Sequence, residues 1–228
     1  DRLSEYGKGF YVMDIPSYDA DQKRLFSDST NIANVEKTSQ LFAGRSVDNN
    51  YSATYFPDIV IDDRVNNAGV NVPASIAAIS ALAYNDAVAY PWFAPAGFNR
   101  GALEGILNTE VRLTAEDRNL LYEARINPIA NFPNGGFVIF GQKTLQQARS
   151  ALDRVNVRRL MIRVKKFIAS ASRFLVFEQN NAQTRQRFLN IANPFLEQVQ
   201  SNSGLNAFKV VMDDTNNTPD VVDRNILY

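Results

Sequence analysis

The side chains best equipped for chemistry are carboxylates. Asp58, Asp62 and Asp63 fall together, and so do Asp213, Asp214 and Asp220. Grouped carboxylates can serve as general acid and base, or bind Ca²⁺ or Mg²⁺. The chain has no histidine and no cysteine. Within it, Ser-His-Asp triads, thiol catalysis, zinc fingers and disulfides are therefore excluded. The Asp213–Asp220 run lacks the central glycine and terminal glutamate of a calcium loop. Both clusters lie where loops are expected, so turn and capping roles are the favoured reading. A carboxylate-dependent α/β hydrolase using Asp58, Asp62 and Asp63 stands as the alternative. Asn134-Gly135-Gly136 leads into a strand rather than a helix, so it is not a phosphate loop. Lys143-Thr144 lacks the upstream glycines of a Walker sequence. No cofactor and no metal are expected.

The elements that carry these residues alternate. Phe10–Ile15 reads as a buried strand closed by Pro16, with a polar loop over 16–29. Ser29, Thr30 or Asn31 can cap a helix bearing Ile32, Val35, Leu41 and Phe42, which stops at Gly44. Tyr51–Ile61 is β-rich, with Pro57 predicting a bend or an edge. Residues 62–71 read as a loop. Pro73 suits the first position of a helix running to about Tyr84. Ile76, Ile79 and Leu82 or Ala83 form its larger apolar stripe, and its alanines allow close packing. Residues 85–108 carry no period. Thr114 opens a short helix with Leu120 and Leu121 as apolar contacts, ended by Asn127-Pro128. A turn at 134–136 leads into the strand Phe137–Phe140.

The second half predicts a helix over Val155–Ala171, a strand over Arg173–Glu178, and a helical segment through Phe188–Val199 that Pro194 kinks or divides. Ser203-Gly204 stops it. Phe208–Met212 and Ile226–Tyr228 read as further strands around a polar loop. The chain starts at Asp1 and ends on what looks like the first step of a strand, so a piece of a longer protein is expected.

At 228 residues, with 45% hydrophobic and 21% charged, the chain can bury a real core. Its 24 basic and 24 acidic residues cancel. That argues against nucleic-acid binding driven by bulk charge, and it suits association. No apolar run reaches the roughly 18 residues of a membrane helix, so no membrane insertion is expected. Two surfaces stand out. Arg158, Arg159, Arg163, Lys165 and Lys166 form the polar side of the 155–171 helix, either solvated or a docking face for an acidic partner. Tyr90–Phe98 is aromatic, either a packed loop or a surface burying Trp92 and Phe93 against a partner, as in a binding module.

Several stretches, in order, resemble the tail sheath proteins of contractile bacteriophages and related contractile injection systems. Val12-Met-Asp-Ile-Pro16 is similar to the family's strand ending Asp-x-Pro, and Thr54-Tyr-Phe-Pro57 to its Tyr-Tyr-Pro-like strand. Val72-Pro-Ala-Ser75 and Trp92-Phe-Ala-Pro-Ala-Gly97 resemble its proline-led helix and aromatic segment. Ile126-Asn127, Phe132-Pro-Asn-Gly135 and Gly141-Gln-Lys-Thr-Leu145 resemble its next motif. Val155-Asn-Val-Arg-Arg-Leu160, Phe174-Leu-Val-Phe-Glu178 and Asp214–Asp220 complete the order. The chain departs from the pattern at Ala74-Ser75-Ile76 and at Gln142-Lys143.

The resemblance implies a non-enzymatic structural subunit. Residues 1–112 would be part of a subtilisin-like α/β sheath domain without its triad. Residues 113–228 would be an α+β C-terminal sheath domain lacking its last strand, with Phe137–Phe140 in a sheet that neighbours extend. It implies a homo-oligomeric helical sheath held by terminal strand exchange, with a tail tube protein, baseplate and tail terminator as partners. Arg158, Arg159, Arg163 and Lys166 would face the tube or another subunit; Trp92, Phe93, Ile226, Leu227 and Tyr228 would sit at subunit contacts. The sheath would assemble in the host cytoplasm, belong to the virion, and contract to drive the tube through the host envelope. A bacterial secretion or bacteriocin device is the alternative within the family. At least one sheet edge should be open, and this chain by itself should be monomeric.

Overall fold

Strand β1 (Tyr11–Met13) lies parallel to β2 (Ser52–Phe56), in register Tyr11 with Ser52 and Met13 with Thr54. The computed structural model describes residues 6–26, 31–63, 65–66 and 68–228. Every residue of β2 is buried, as in a central strand covered on both faces. On its other side β2 runs parallel to β6 (Ile126–Phe132), and β7 (Gly136–Ile139) returns antiparallel to β6. The sheet order is β1-β2-β6-β7. A second sheet, order β4-β3-β5, joins β3 (Ile59–Asp63), β4 (Ala68–Val72) and β5 (Ile106–Thr109), all antiparallel. The chain divides into two units, Asp1–Leu160 and Met161–Tyr228.

Three helices pack with these sheets among the described residues of the first unit. Asn34 caps α1 (Val35–Ala43) by accepting from the Lys37 N–H. Pro73 precedes α2 (Ala74–Val88) as its cap residue. Thr114 and Asp117 form a capping box on α3 (Ala115–Glu123). Helix α2 covers one face of the first sheet: Ala74, Ala77, Ala78 and Ala81 pack on Ala53, Tyr55, Ile129 and Ile139. On the other side Val35, Phe42 and Leu121 pack with Phe56, Ile126 and Leu145. Side chains alternate along β2, so adjacent Tyr55 and Phe56 enter different cores.

Four departures from the sequence reading fall here. Asp62 and Asp63 pair antiparallel with Gly69 and Ala68, extending β3 and β4 into the stretch where composition suggested a loop. Strand pairing overrides loop-like residue types. The buried face of α2 is its alanine face, and Ile76 and Ile79 are exposed. Small residues let the helix axis approach the sheet, so the larger stripe turns outward. Residues 85–108 are not wholly irregular, because α2 extends to Val88 and β5 begins at Ile106. Asn127-Pro128 does not end the third helix but lies inside β6. The helix stops at Glu123, and Arg125 at φ 64° turns the chain into the strand. Ser29 and Thr30 lie outside the described residues; Asn34 does the capping.

The β6–β7 turn is as expected, with Gly136 at φ 63°. The outer edge of β7, expected to accept a neighbour, is covered by this chain. Leu103 N–H donates to Phe137 O, and Ile139 N–H to Gly101 O. Among the described residues β1 pairs only with β2, and β4 and β5 pair only with β3, so these three strands have an edge without a strand partner.

Helix α4 (Val155–Ser172) begins in the first unit and continues in the second. In the second unit it is followed by α5 (Ala182–Ser201) and α6 (Pro219–Asp223). Phe167 stacks on Phe195 at 3.8 Å between centroids, and Ala171, Phe188 and Ala192 form a small core. The predicted break at Pro194 does not divide α5. Buried Phe188, Ala192, Leu196 and Val199 on either side hold one helix together, and the proline faces solvent. The predicted strand at Arg173–Glu178 is instead a 3₁₀ turn over Arg173–Leu175 followed by a turn that exposes Phe174 and Phe177. Phe208–Met212 and Ile226–Tyr228 are not strands either. Among the described residues neither has a strand beside it, and a strand without a ladder partner has no hydrogen bonds to define it.

Candidate interaction surfaces

The basic side of α4 is divided by its surroundings. Arg158 is buried, at 7% exposure, with its guanidinium 4.1 Å from the centre of the Tyr51 ring. Its Nε has no hydrogen-bond partner, and desolvation lowers its pKa. Arg159 grips both carboxylate oxygens of Asp86 at 2.7 and 2.5 Å and reaches Pro91 O. These two arginines bind their own unit. Arg163, Lys165 and Lys166 are exposed and remain available to a partner.

The aromatic segment is likewise mostly used internally. Trp92 is buried and stacks on Tyr90 at 4.7 Å with an interplanar angle of 3°. Its carbonyl accepts from Asn156 Nδ2. Phe93 is half-buried under the Arg100 guanidinium at 5.2 Å. Phe98, packed edge-on against Phe132, is exposed, and so to a lesser degree is Tyr90.

The chain's last residues border a cleft in the second unit. Val210, Val211, Met212, Leu227 and Tyr228 line a space of about 380 Å³ together with Ile168 and Phe188. Ile226 and Leu227 are half-buried, and the Tyr228 side chain is exposed. The Asn217 amide accepts from Tyr228 N–H at 2.9 Å and donates to Tyr228 O at 2.7 Å, as a strand neighbour would.

The carboxylates meet differently from the sequence grouping. Asp58 Oδ1 accepts from Ala74 N–H, and Asp14 accepts from Ser75 N–H and Oγ, so both cap α2. Glu110 accepts from Ser17 Oγ, and both Glu110 and Asp14 act on Asp58 electrostatically. Burial, with a smaller contribution from these neighbours, pushes the Asp58 pKa up to about 6. Asp63 instead binds the hairpin tip through Val65 and Asn66, which lowers its pKa. Asp213 organises its loop through Thr215. Sequence reasoning missed the Asp14–Asp58–Glu110 grouping, which strand packing assembles from three distant stretches. It also missed Asn127. That fully buried amide donates to Thr54 O and Lys143 O and accepts from Lys143 N–H at 2.6 Å.

Helix-covered, mostly parallel strands, with an edge strand at β1 and an apolar cleft beside the terminal segment, define a mixed α/β fold. The chain belongs to the phage tail sheath family: residues 5–145 match the phage tail sheath protein central domain, and residues 147–228 the phage tail sheath C-terminal domain. It is 40% identical over 179 residues to the tail sheath protein of Vibrio phage KVP40, covering 78% of this chain and 26% of that protein. It is 35% identical over 192 residues to the tail sheath protein of Enterobacteria phage T4, covering 80% of this chain and 29% of that protein. The chain thus spans under a third of these curated relatives. Its fold is similar to a chain in the cryo-EM structure of an extracellular contractile injection system, a PVC sheath complex in the contracted state. That match has a TM-score of 0.76 at 26% identity, over 97% of this chain and 59% of the other. The expected boundary between residues 112 and 113 falls inside the first unit, and the family boundary lies near residue 146.

Proposed function

We propose that this chain is the part of a contractile tail sheath subunit that links neighbouring copies into a helical tube. The observation that carries this reading is the cleft between Val210–Met212 and Leu227–Tyr228. Its walls are apolar, and neither flanking segment has a strand partner among the described residues. A strand from a neighbouring subunit would bury those walls and supply the ladder, which is β-augmentation. The open edge of β1 offers a second place for the same linkage.

On this reading the protein is structural rather than catalytic, and its carboxylates act as caps. The region that matches the sheath central domain represents the subtilisin-like α/β part of the sheath, and the wall around the tube is built from the C-terminal region that follows it. Exposed Arg163 and Lys166 face an acidic tail tube. Baseplate and terminator proteins bound the sheath in the virion tail, and contraction drives the tube through the host envelope. A sheath of a contractile injection device is the second reading, favoured by the likeness to the PVC sheath complex.

Negative-stain microscopy of the full-length protein tests the proposal. Tubes or long polymers are expected, whereas the 228-residue chain stays small. A full-length protein that sediments as a monomer at high concentration overturns it.

A further inference from the structure

A cleft of about 530 Å³ in the first unit has a different character. Helix α3 presents Arg118, Asn119 and Tyr122 to it, one helical face at spacings of three and four residues. Phe140 and Gln142 form the facing wall, and Arg154 stands beside them. Arg154 Nη1 donates to Tyr122 Oη at 2.5 Å, and its Nε pairs with Asp153 at 3.1 Å. The Arg118 guanidinium stacks over the Phe132 ring at 5.2 Å and makes no hydrogen bond among the described residues. Gln142 Oε1 is buried and accepts no hydrogen bond. At the neighbouring Lys143, burial first and then Arg125, Arg154 and Arg149 disfavour the charged amine, with Asp153 the one group acting the other way. Arg125 and Lys143 are held by backbone carbonyls rather than by acids, so their charge is not cancelled.

The cleft therefore offers the Arg118 guanidinium with no hydrogen bond, an Arg154 only partly neutralised by Asp153, one orphaned acceptor and an apolar wall. A phosphate would satisfy the arginines but leave Gln142 unpaired. An acidic residue within a polypeptide satisfies both, with its carboxylate toward Arg118 and Arg154 and a backbone N–H toward Gln142 Oε1. The same chain carries the complement. Its segment from Asp213 to Asp223, a loop running into α6, holds four carboxylates and no cation. The Asp214 and Asp220 side chains are 89% and 80% exposed, Asp214 sharing Arg185 at 2.7 Å and Asp220 sharing Arg224 at 3.7 Å, so each keeps a solvent-facing side for a further cation. Pro219 and the two valines after Asp220 suit the apolar wall.

We infer that the α3 cleft receives the Asp213–Asp220 loop of a second copy of this chain, a side-chain contact separate from strand addition. The inference rests on the reading that copies of the protein assemble, but its test does not require tubes. A fluorescent peptide spanning residues 213–222 is titrated with the 228-residue chain and followed by anisotropy. Saturable binding that weakens as salt is raised is expected. Replacing the peptide's three aspartates with asparagine should abolish it. Arg118→Ala should weaken it roughly tenfold, the loss of one charge-assisted contact. Gln142→Leu, which removes an atom bonded to nothing, should also weaken it while leaving folding intact. No saturable binding, or equal binding by both variants, overturns the inference. So does displacement of the peptide by N-acetyl-aspartate at no higher concentration than unlabelled peptide, since the cleft would then read a free small acid rather than the loop. Tubes lost with peptide binding retained would count against the sheath reading alone.

Discussion

Asp58 holds a helix cap at an electrostatic cost. Its carboxylate accepts from Ala74 N–H, yet burial raises its pKa from 3.8 to about 6, with Glu110 and Asp14 adding to the shift. A carboxyl whose folded pKa lies above its unfolded value binds more protons in the folded state. Its contribution therefore favours folding in acid and is lost as pH rises from 3.8 to about 6. Asp58→Asn keeps an acceptor for the cap and removes the charge. Thermal melts should show it more stable than the parent at neutral pH by about 1–2 kcal/mol, allowing for partial solvation. The gain should vanish in acid; an unchanged pH profile would contradict this account. Asn127 works in the opposite sense. Asn127→Ala leaves Lys143 N–H and the Thr54 and Lys143 carbonyls without their partner. A loss of about 2–4 kcal/mol is expected from the urea midpoint, with an unchanged slope.

At the level of elements, α4 shows how one amphipathic pattern acquires two kinds of basic residue. Arg158 and Arg159 fall where the helix packs on Tyr51 and Asp86, and Arg163 and Lys166 fall where it meets solvent. Arg163→Glu with Lys166→Glu should leave the melting temperature within about 1 °C, because exposed charges contribute little to stability. The same pair should impair assembly on the tube in the full-length protein, measured as tube yield by microscopy. Unimpaired assembly would reduce this face to a solvated surface. The C-terminal segment is held differently. The Asn217 amide occupies the hydrogen-bonding groups of Tyr228, so an incoming strand must displace a side chain rather than meet a bare edge.

At the scale of the molecule, the proposed assembly would explain features that a monomer would not favour. Helix α2 turns Ile76 and Ile79 outward, β1 leaves an edge unpaired, and Phe174 and Phe177 are exposed. Exposed edges and apolar side chains are aggregation hazards unless a partner covers them. Zero net charge removes the self-repulsion that would oppose such partners. The 228-residue chain should therefore sediment as a small species when dilute, with polymer appearing only when the remaining sheath polypeptide is restored.

The sequence by itself determined the positions of β1, β2, α2 and α3, the cap at Thr114, the turn at Gly136, and the amphipathic span of α4. These depend on local backbone preferences and on periodicity. The order of weak motifs from Val12 to Asp220 also identified the family. Tertiary structure alone decided which face of α2 is buried, that Asn127-Pro128 continues a strand, and that Asp14, Asp58 and Glu110 meet. It also decided that Arg158 is buried while Arg163 is free. Each of these is a matter of what lies across the core from a residue, and local sequence carries no record of that. The β-prone segments at 173–178, 208–212 and 226–228 mark the same limit. Their residue types favour strands, but a strand exists only when another chain segment lies beside it to share its hydrogen bonds.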